Sequence, residues 1–499
     1  MGFLLGLDIG TSGVKALLVK EAGEVAGSVT VEYPLYSPRP GWTEQNPEDM
    51  WKASVEAIRG VLSEYSVKGD QVLGVGLSGQ MHSSVFLDES CDVIRPAILW
   101  NDVRTSAQCQ FIRDSVDPEL LFQEVCNPVL EGFTLPKLLW LRDNEPHNFE
   151  KVRWLILPKD YVRFRLTGNI HMEVSDAAGM LMMNVRSQTW SKAVLESLDL
   201  SDEILPPIIQ SSQVAGTITG EVADLTGLKE GTPVVGGGAD NACGAVGSGV
   251  VKPGRGFVSL GTSGVVLAHL EQPKLITTGT IHMFNSCVPQ EFYMMGVMLS
   301  AGLSLSWFRE RIGRKFDSYD ALTADAAESS PGSRGLVFLP YLTGERTPHG
   351  DANARGSFVG LSAAHTQGDL VRAVLEGVAF ALRDSVELLR SAGWNGTGLR
   401  ALGGGAKSLL WKEIIASVTG LAIEELNIDE GPAFGAAILA GVGANVYGSV
   451  PEASDSIVKV IDAVEPNPEW EKVYGDMYEV YRGLYPALKG SFDQLVTFQ

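Results

Sequence analysis

The chain is short of the features that announce most specialised chemistries. Five of its 499 residues are cysteine (Cys91, Cys109, Cys126, Cys243, Cys287), and no two form a C-x-x-C pair. An odd, scattered set excludes a disulfide scaffold and reads as reduced thiols of a cytoplasmic protein. The seven histidines show no H-x-x-x-H spacing, which removes the usual zinc signatures. Positive charge is scarce: 39 Lys and Arg stand against 60 Asp and Glu, a formal net charge of −21. That excludes nucleic acid and anionic membrane surfaces as partners, since both need basic patches. It does not exclude a nucleotide, whose phosphates backbone amides and a metal ion can hold locally. The first residues enter a strand pattern at once, with no basic-then-apolar leader. Long hydrophobic runs are missing too. The uncharged stretch from Gly431 to Val450 is built mainly of Gly and Ala and carries Pro432 and Asn445. It predicts a buried helix packed closely through small residues, not a membrane span. No G-x-x-x-x-G-K-[ST] occurs, so there is no P-loop.

What is present is a soluble composition, 45% hydrophobic and 20% charged, in a chain long enough for two large domains. The pentapeptide GTSGV occurs twice, at 10–14 and 261–265. Both copies sit between apolar runs of strand length: "FLLGLD" and "VKALLVK" around the first, "GRGFVSL" and "VVLAHL" around the second. The pattern predicts two hairpins at the start of two related halves, a duplicated core. The Gly-rich segment near residue 245 predicts the boundary, giving domains 1–245 and 246–499. Asn46 as N-cap and Pro47 at N1 predict a helix carrying Trp51, Val55, Ile58 and Leu62 on one face.

The turn leads into a strand, not a helix, so it is not a dinucleotide-binding fingerprint. A Gly-Thr-Ser-Gly hairpin nonetheless suits phosphate: glycines admit close approach, amides form an anion-binding concavity, and hydroxyls add donors. A tight turn with no ligand is the plainer alternative. Asp8 precedes the first turn where Ser259 precedes the second. A carboxylate beside a phosphate turn is unfavourable unless a cation lies between, which points to Mg²⁺. Asp8 could otherwise cap the turn. Asp240 sits at a predicted strand–turn–helix junction in "GGGADNACGAVG"; it is a candidate general base, or else a helix N-cap.

"LDIGTSGVK", "GGGADN", "SLGTSGV", "GFTLPKLLWLRDN" and "GSFVGLSAAHTQGDLVRAVLE" occur in that family's order, and the chain resembles the FGGY carbohydrate kinases over nearly its whole length. The resemblance implies an α/β fold of two actin/hexokinase-like (ribonuclease H-like) domains, each on a mixed five-stranded sheet, with the site in the cleft between. It implies ATP and Mg²⁺ as cofactors and phosphoryl transfer to a small sugar. "SGQMHSSVFLD", "RPAILWNDVR" and "YLTGERTPH" narrow the implied acceptor to D-xylulose at its 5-hydroxyl. Another ketose, polyol or sugar acid (ribulose, gluconate) is the alternative, and a non-kinase ATPase of the wider superfamily the more distant one.

By resemblance Asp240 is the base and Asp8 acts on Mg²⁺. Thr11, Ser12 and Gly13 with Gly261, Thr262 and Ser263 hold phosphates, and Gly403, Gly404 and Gly405 lie against adenosine. Met81, His82 and Asn241 contact the sugar, with Trp100, Asn101 and Asp102 offered beside them. Glu345 and Arg346 read as an ion pair bracing the cleft. A homodimer, and whether the C-terminal helix from about Pro468 packs back across the cleft, are left open.

Overall fold

The computed structural model describes residues 2–274, 281–313 and 316–498. Its first sheet contains β1 (Phe3–Ile9), β2 (Gly13–Lys20), β3 (Val25–Glu32), β4 (Val72–Gly79), β5 (Val214–Thr217), β6 (Pro233–Val235) and β7 (Gly238–Ala239). Its second contains β8 (Gly256–Leu260), β9 (Gly264–Leu270), β10 (His282–Asn285), β11 (Phe292–Met298), β12 (Gly398–Leu402), β13 (Ala422–Leu426) and β14 (Val460–Val464). Each sheet therefore has seven strands, not the five expected.

The two sheets share a five-strand path. In the first it runs β3-β2-β1-β4-β6, in the second β11-β9-β8-β12-β13. Directions match as well: the hairpin and its third strand are antiparallel, and the two strands on the other side are parallel. The additional strands, β5 and β7 in one sheet and β10 and β14 in the other, attach beside this path. The repeated pentapeptide thus marks the same hairpin in two copies of one core.

Helix α1 (Pro47–Glu64) starts as its cap predicts: the Asn46 side chain accepts from the Glu48 amide. Trp51, Ile58 and Leu62 are buried on its inner face. Helix α2 (Asp240–Gly247) leaves the last strand of the first sheet, and α3 (Gln367–Ser391) and α4 (Leu409–Thr419) cover the second.

Helix α5 (Pro432–Gly443) is the uncharged Gly/Ala stretch, and it is buried as expected. It lies in the second half of the sequence yet packs on β1 and β4 of the first sheet and crosses α2. Side chains at Gly6 and Gly76 would strike the carbonyl oxygens of Ala433 and Ala436. Small residues here are a steric condition for helix and sheet to meet. Among the described residues, the C-terminal helix α6 (Pro468–Leu495) packs on α3 and α4 of the second half. Its Tyr474 and Tyr478 hydroxyls donate to Glu376 and Asp384 of α3, at 2.8 and 2.7 Å. Among the described residues no helix is long and apolar enough to cross a membrane.

Candidate active site

The two hairpin turns are held from behind and open in front. The Tyr33 hydroxyl donates to the Gly10 carbonyl, and Gln45 Nε2 to the Thr11 carbonyl at 2.6 Å. In the second copy the Ala301 and Leu303 amides donate to Thr262 O at 3.0 and 3.1 Å, and Gly302 N to Gly261 O at 2.9 Å. Among the described residues, the amides of Thr11, Ser12, Thr262 and Ser263 donate to nothing. Unspent donors on an exposed turn are what an anion needs.

Asp8 lies one residue before the end of β1, opposite Ser78 on β4. Its Oδ1 is buried and has no hydrogen-bond partner. Burial raises its pKa, against the pull of Ser78 and Lys15. Asp240 is the first residue of α2; Ala239 is the N-cap, so the capping alternative falls away. Asp240 Oδ1 accepts from Asn241 N at 2.7 Å and Asn241 Nδ2 at 2.9 Å. Burial, then the negative charge of Asp8, pushes its pKa up to about 7. A carboxylate with an orphaned oxygen, whose charge disfavours that of Asp240, fits a divalent cation between the two. Among the described residues no three His, Cys, Asp or Glu form a metal cage. Phosphate oxygens and water would have to complete the shell, as Mg²⁺ prefers.

On the sugar side, Met81 Sδ lies 3.8 Å from Asn241 Nδ2. His82 sits at φ 65°, in the left-handed region. Its carbonyl is clamped by Thr134 Oγ1 and by Lys137 Nζ, both at 2.9 Å. A strained backbone held from outside is a device for aiming a side chain. His82 Nδ1 is 2.7 Å from Gly179 O. A carbonyl only accepts, so Nδ1 carries the hydrogen and Nε2 a lone pair. Burial lowers the imidazole pKa to about 3, so the ring is neutral. Trp100 ties its loop to the first hairpin turn, its Nε1 donating to Thr11 Oγ1 at 3.0 Å.

Two expectations on this side need correction. Asp102 is fully buried and its carboxylate is already spent. It takes Arg104 Nε at 2.9 Å, Arg104 Nη2 at 2.7 Å and Thr43 N at 2.6 Å. It braces the loop and has no oxygen free for a sugar. Glu345 does not pair with the Arg346 guanidinium: its Oε1 accepts the amides of Leu299 at 3.0 Å and Arg346 at 2.7 Å. Asn101 is exposed, and its Oδ1 accepts from Thr43 Oγ1 at 2.8 Å.

On the far side, Gly261, Thr262, Gly404 and Gly405 line one cavity of about 700 Å³. Gly403 takes φ 85°, and a side chain added at Gly404 would meet nothing within 4 Å, so this glycine faces open space. Leu303, Ser306, Arg309 and Tyr319 are part of the wall, with the Arg309 guanidinium 4.1 Å from the Tyr319 ring centroid. No motif flagged these four. The cavity follows Leu402 at the end of β12, which pairs with Ser259; Gln80, Met81 and His82 follow β4, whose Ser78 pairs with Asp8. The two copies of the core thus present equivalent loops, one to each side of the cleft.

The family model for the N-terminal domain of the FGGY family of carbohydrate kinases matches residues 3–247, and that for the C-terminal domain matches 256–444. The chain belongs to the FGGY family of carbohydrate kinases. It is 40% identical to a xylulose kinase of Bacillus subtilis over 100% of both chains. The crystal structure of a xyloylose kinase from Brucella ovis superposes with a TM-score of 0.91 at 38% identity, covering 98% of this chain and 99% of that one. A gluconate kinase from Lactobacillus acidophilus superposes at 0.94 with 26% identity, covering 99% of each. As an FGGY kinase the chain is a phosphotransferase that uses ATP on an alcohol acceptor.

Proposed function

We propose that the enzyme transfers the γ-phosphoryl group of ATP to the 5-hydroxyl of D-xylulose, giving D-xylulose 5-phosphate and ADP. The observation that carries this reading is Asp240. Its carboxylate accepts from Asn241, whose amide also lies 3.8 Å from Met81 Sδ, it feels the charge of Asp8, and its pKa of about 7 suits a base at neutral pH. The full-length relation to xylulose kinases supports the choice of sugar.

Met81, His82 and Asn241 orient the ketose, and the Trp100 indole closes the mouth. Asp240 takes the proton as the 5-hydroxyl attacks the γ-phosphorus, and ADP leaves. The free amides of both turns hold the phosphates, and the cavity beside Gly404 takes adenosine. Asp8, with Asp240 opposite, would hold Mg²⁺, which neutralises phosphate charge during transfer. Asp102 acts only by bracing the loop that carries Trp100. The reaction belongs to the cytoplasm.

The test is ADP release from Mg²⁺–ATP by the purified protein, alone and with D-xylulose. Strong stimulation, with ³¹P NMR placing the phosphate at C5, bears the proposal out. Stimulation by gluconate or ribulose but not D-xylulose would replace the acceptor. ATP hydrolysis indifferent to every sugar would sink the sugar-kinase reading of this cleft.

A further inference from the structure

Every sugar contact expected from the sequence lies in the first half of the chain. The structure brings a second wall against them. Strands β10 and β11 form an edge hairpin of the second sheet, in which Phe284 pairs with Tyr293 and His282 with Met295. The Phe284 ring lies 5.8 Å from His82, 5.8 Å from His282 and 5.5 Å from Tyr293. Phe133 completes the cluster, 4.5 Å from His82 and 5.7 Å from His282.

Two polar groups in this wall are unspent. Tyr293 is fully buried, and among the described residues its hydroxyl meets only Met81 Sδ, a weak acceptor, at 4.0 Å. Buried phenols normally find a real partner. The same Met81 Sδ lies 3.8 Å from Asn241 Nδ2, the amide that donates to Asp240 Oδ1 at 2.9 Å. His282 is 2% exposed, and its Nε2 has no partner. Its Nδ1 faces Asn127 Oδ1 at 3.3 Å, an oxygen that also accepts from Met283 N at 3.1 Å. That oxygen only accepts, so Nδ1 carries the hydrogen and Nε2 presents a lone pair.

We infer that Tyr293 and His282 are specificity-determining residues that hydrogen-bond the sugar from the second half of the chain. A ketose offers hydroxyl donors and a carbonyl acceptor. The phenol can serve either, and the two Nε2 lone pairs of His82 and His282 take hydroxyls. A site built to satisfy these groups rejects an acceptor that lacks the matching hydroxyl, because the buried protein group is then left unpaired. The assignment rests on the sugar-kinase reading of the cleft and deepens it.

The test is steady-state kinetics of Tyr293→Phe, His282→Gln and His282→Leu, with melting temperatures measured alongside. Tyr293→Phe keeps the ring and loses one hydroxyl; His282→Gln keeps an acceptor that His282→Leu lacks. Tyr293→Phe is expected to raise the sugar KM roughly three- to tenfold, the scale of one lost hydrogen bond, without moving the KM for ATP. His282→Leu should raise it likewise, with His282→Gln between it and wild type. The acceptor is whichever sugar the wild type phosphorylates. A wild type that prefers another ketose therefore overturns the choice of D-xylulose, while the same KM shifts still decide this assignment. Unchanged sugar KM in folded Tyr293→Phe and His282→Leu overturns it, and so does a parallel rise in the KM for ATP.

Discussion

Asp240 is where sequence, structure and chemistry meet most tightly. It is an acid with a pKa near 7, so it is protonated below that pH and available as a base above it. Activity should fall on the acid side of neutrality, with the midpoint of kcat/KM at or below pH 7, because a bound cation favours the charged carboxylate. Asp240→Asn keeps the hydrogen-bonding shape and removes the base; kcat should drop by roughly 10²-fold or more. Near wild-type turnover in that variant would remove Asp240 from the chemistry. The motif alone could not separate a base from a helix cap. The structure removes the cap reading by making Ala239 the N-cap, and the role as base stays the proposed one. Asp102 shows the reverse: in sequence it is a free carboxylate beside a tryptophan, and only the fold reveals Arg104 saturating it.

At the scale of elements, the glycine turn after β12 and the crossing of α2 with α5 do different work. Gly404 faces open space in the cavity proposed for adenosine. Gly404→Val should therefore fold normally, raise the KM for ATP and leave the sugar KM alone; a weakened fold with unchanged ATP affinity would contradict that placement. Gly435 in α5 is the opposite case, since its Cβ would meet the Cys243 carbonyl oxygen of α2. Backbone cannot step aside cheaply, so Gly435→Ala should cost about 1–3 kcal/mol in urea unfolding. Gly475 of α6 has nothing within 4 Å. There, Gly475→Ala should be neutral or stabilising by up to about 1 kcal/mol. Composition had foretold that the 431–450 stretch is a close-packed helix. It could not foretell that the helix packs on the other half's sheet.

Across the whole molecule, buried titratable groups fix how stability depends on pH. Burial lifts Glu345 to about 8 and Asp384 to about 7, and lowers His82 to about 3 and His349 to about 4. For the histidines the unfolded chain binds more protons below pH 6.5, so they favour folding progressively up to that pH and add nothing beyond it. For the acids the native state holds protons that the unfolded state has already lost, so stability falls as pH rises from about 4 through their native pKa values. Between pH 6.5 and 7 the acids dominate and the melting temperature of the metal-free protein should decline; above pH 7 Lys137, whose pKa burial lowers to about 7, sheds its native proton and works against that decline. Glu345→Gln, which keeps an oxygen for the Leu299 and Arg346 amides, should flatten that decline. A melting temperature that climbs between pH 6.5 and 7, or an equally steep fall in the variant, would refute the account.

The sequence by itself determined the repeat, the hairpin turns, the helix caps and the position of Asp240 at a strand–helix junction. Each is written in a few neighbouring residues, where turn chemistry and spacing act locally. The seven-strand sheets, the path of α5, the quenching of Asp102 and the second sugar wall were decided by tertiary structure. They depend on residues such as Met81 and Tyr293, or Gly435 and Cys243, that are distant in the chain and meet only when two copies of one core close on each other. Burial, packing and hydrogen-bond saturation are properties of those meetings, and no local pattern encodes them.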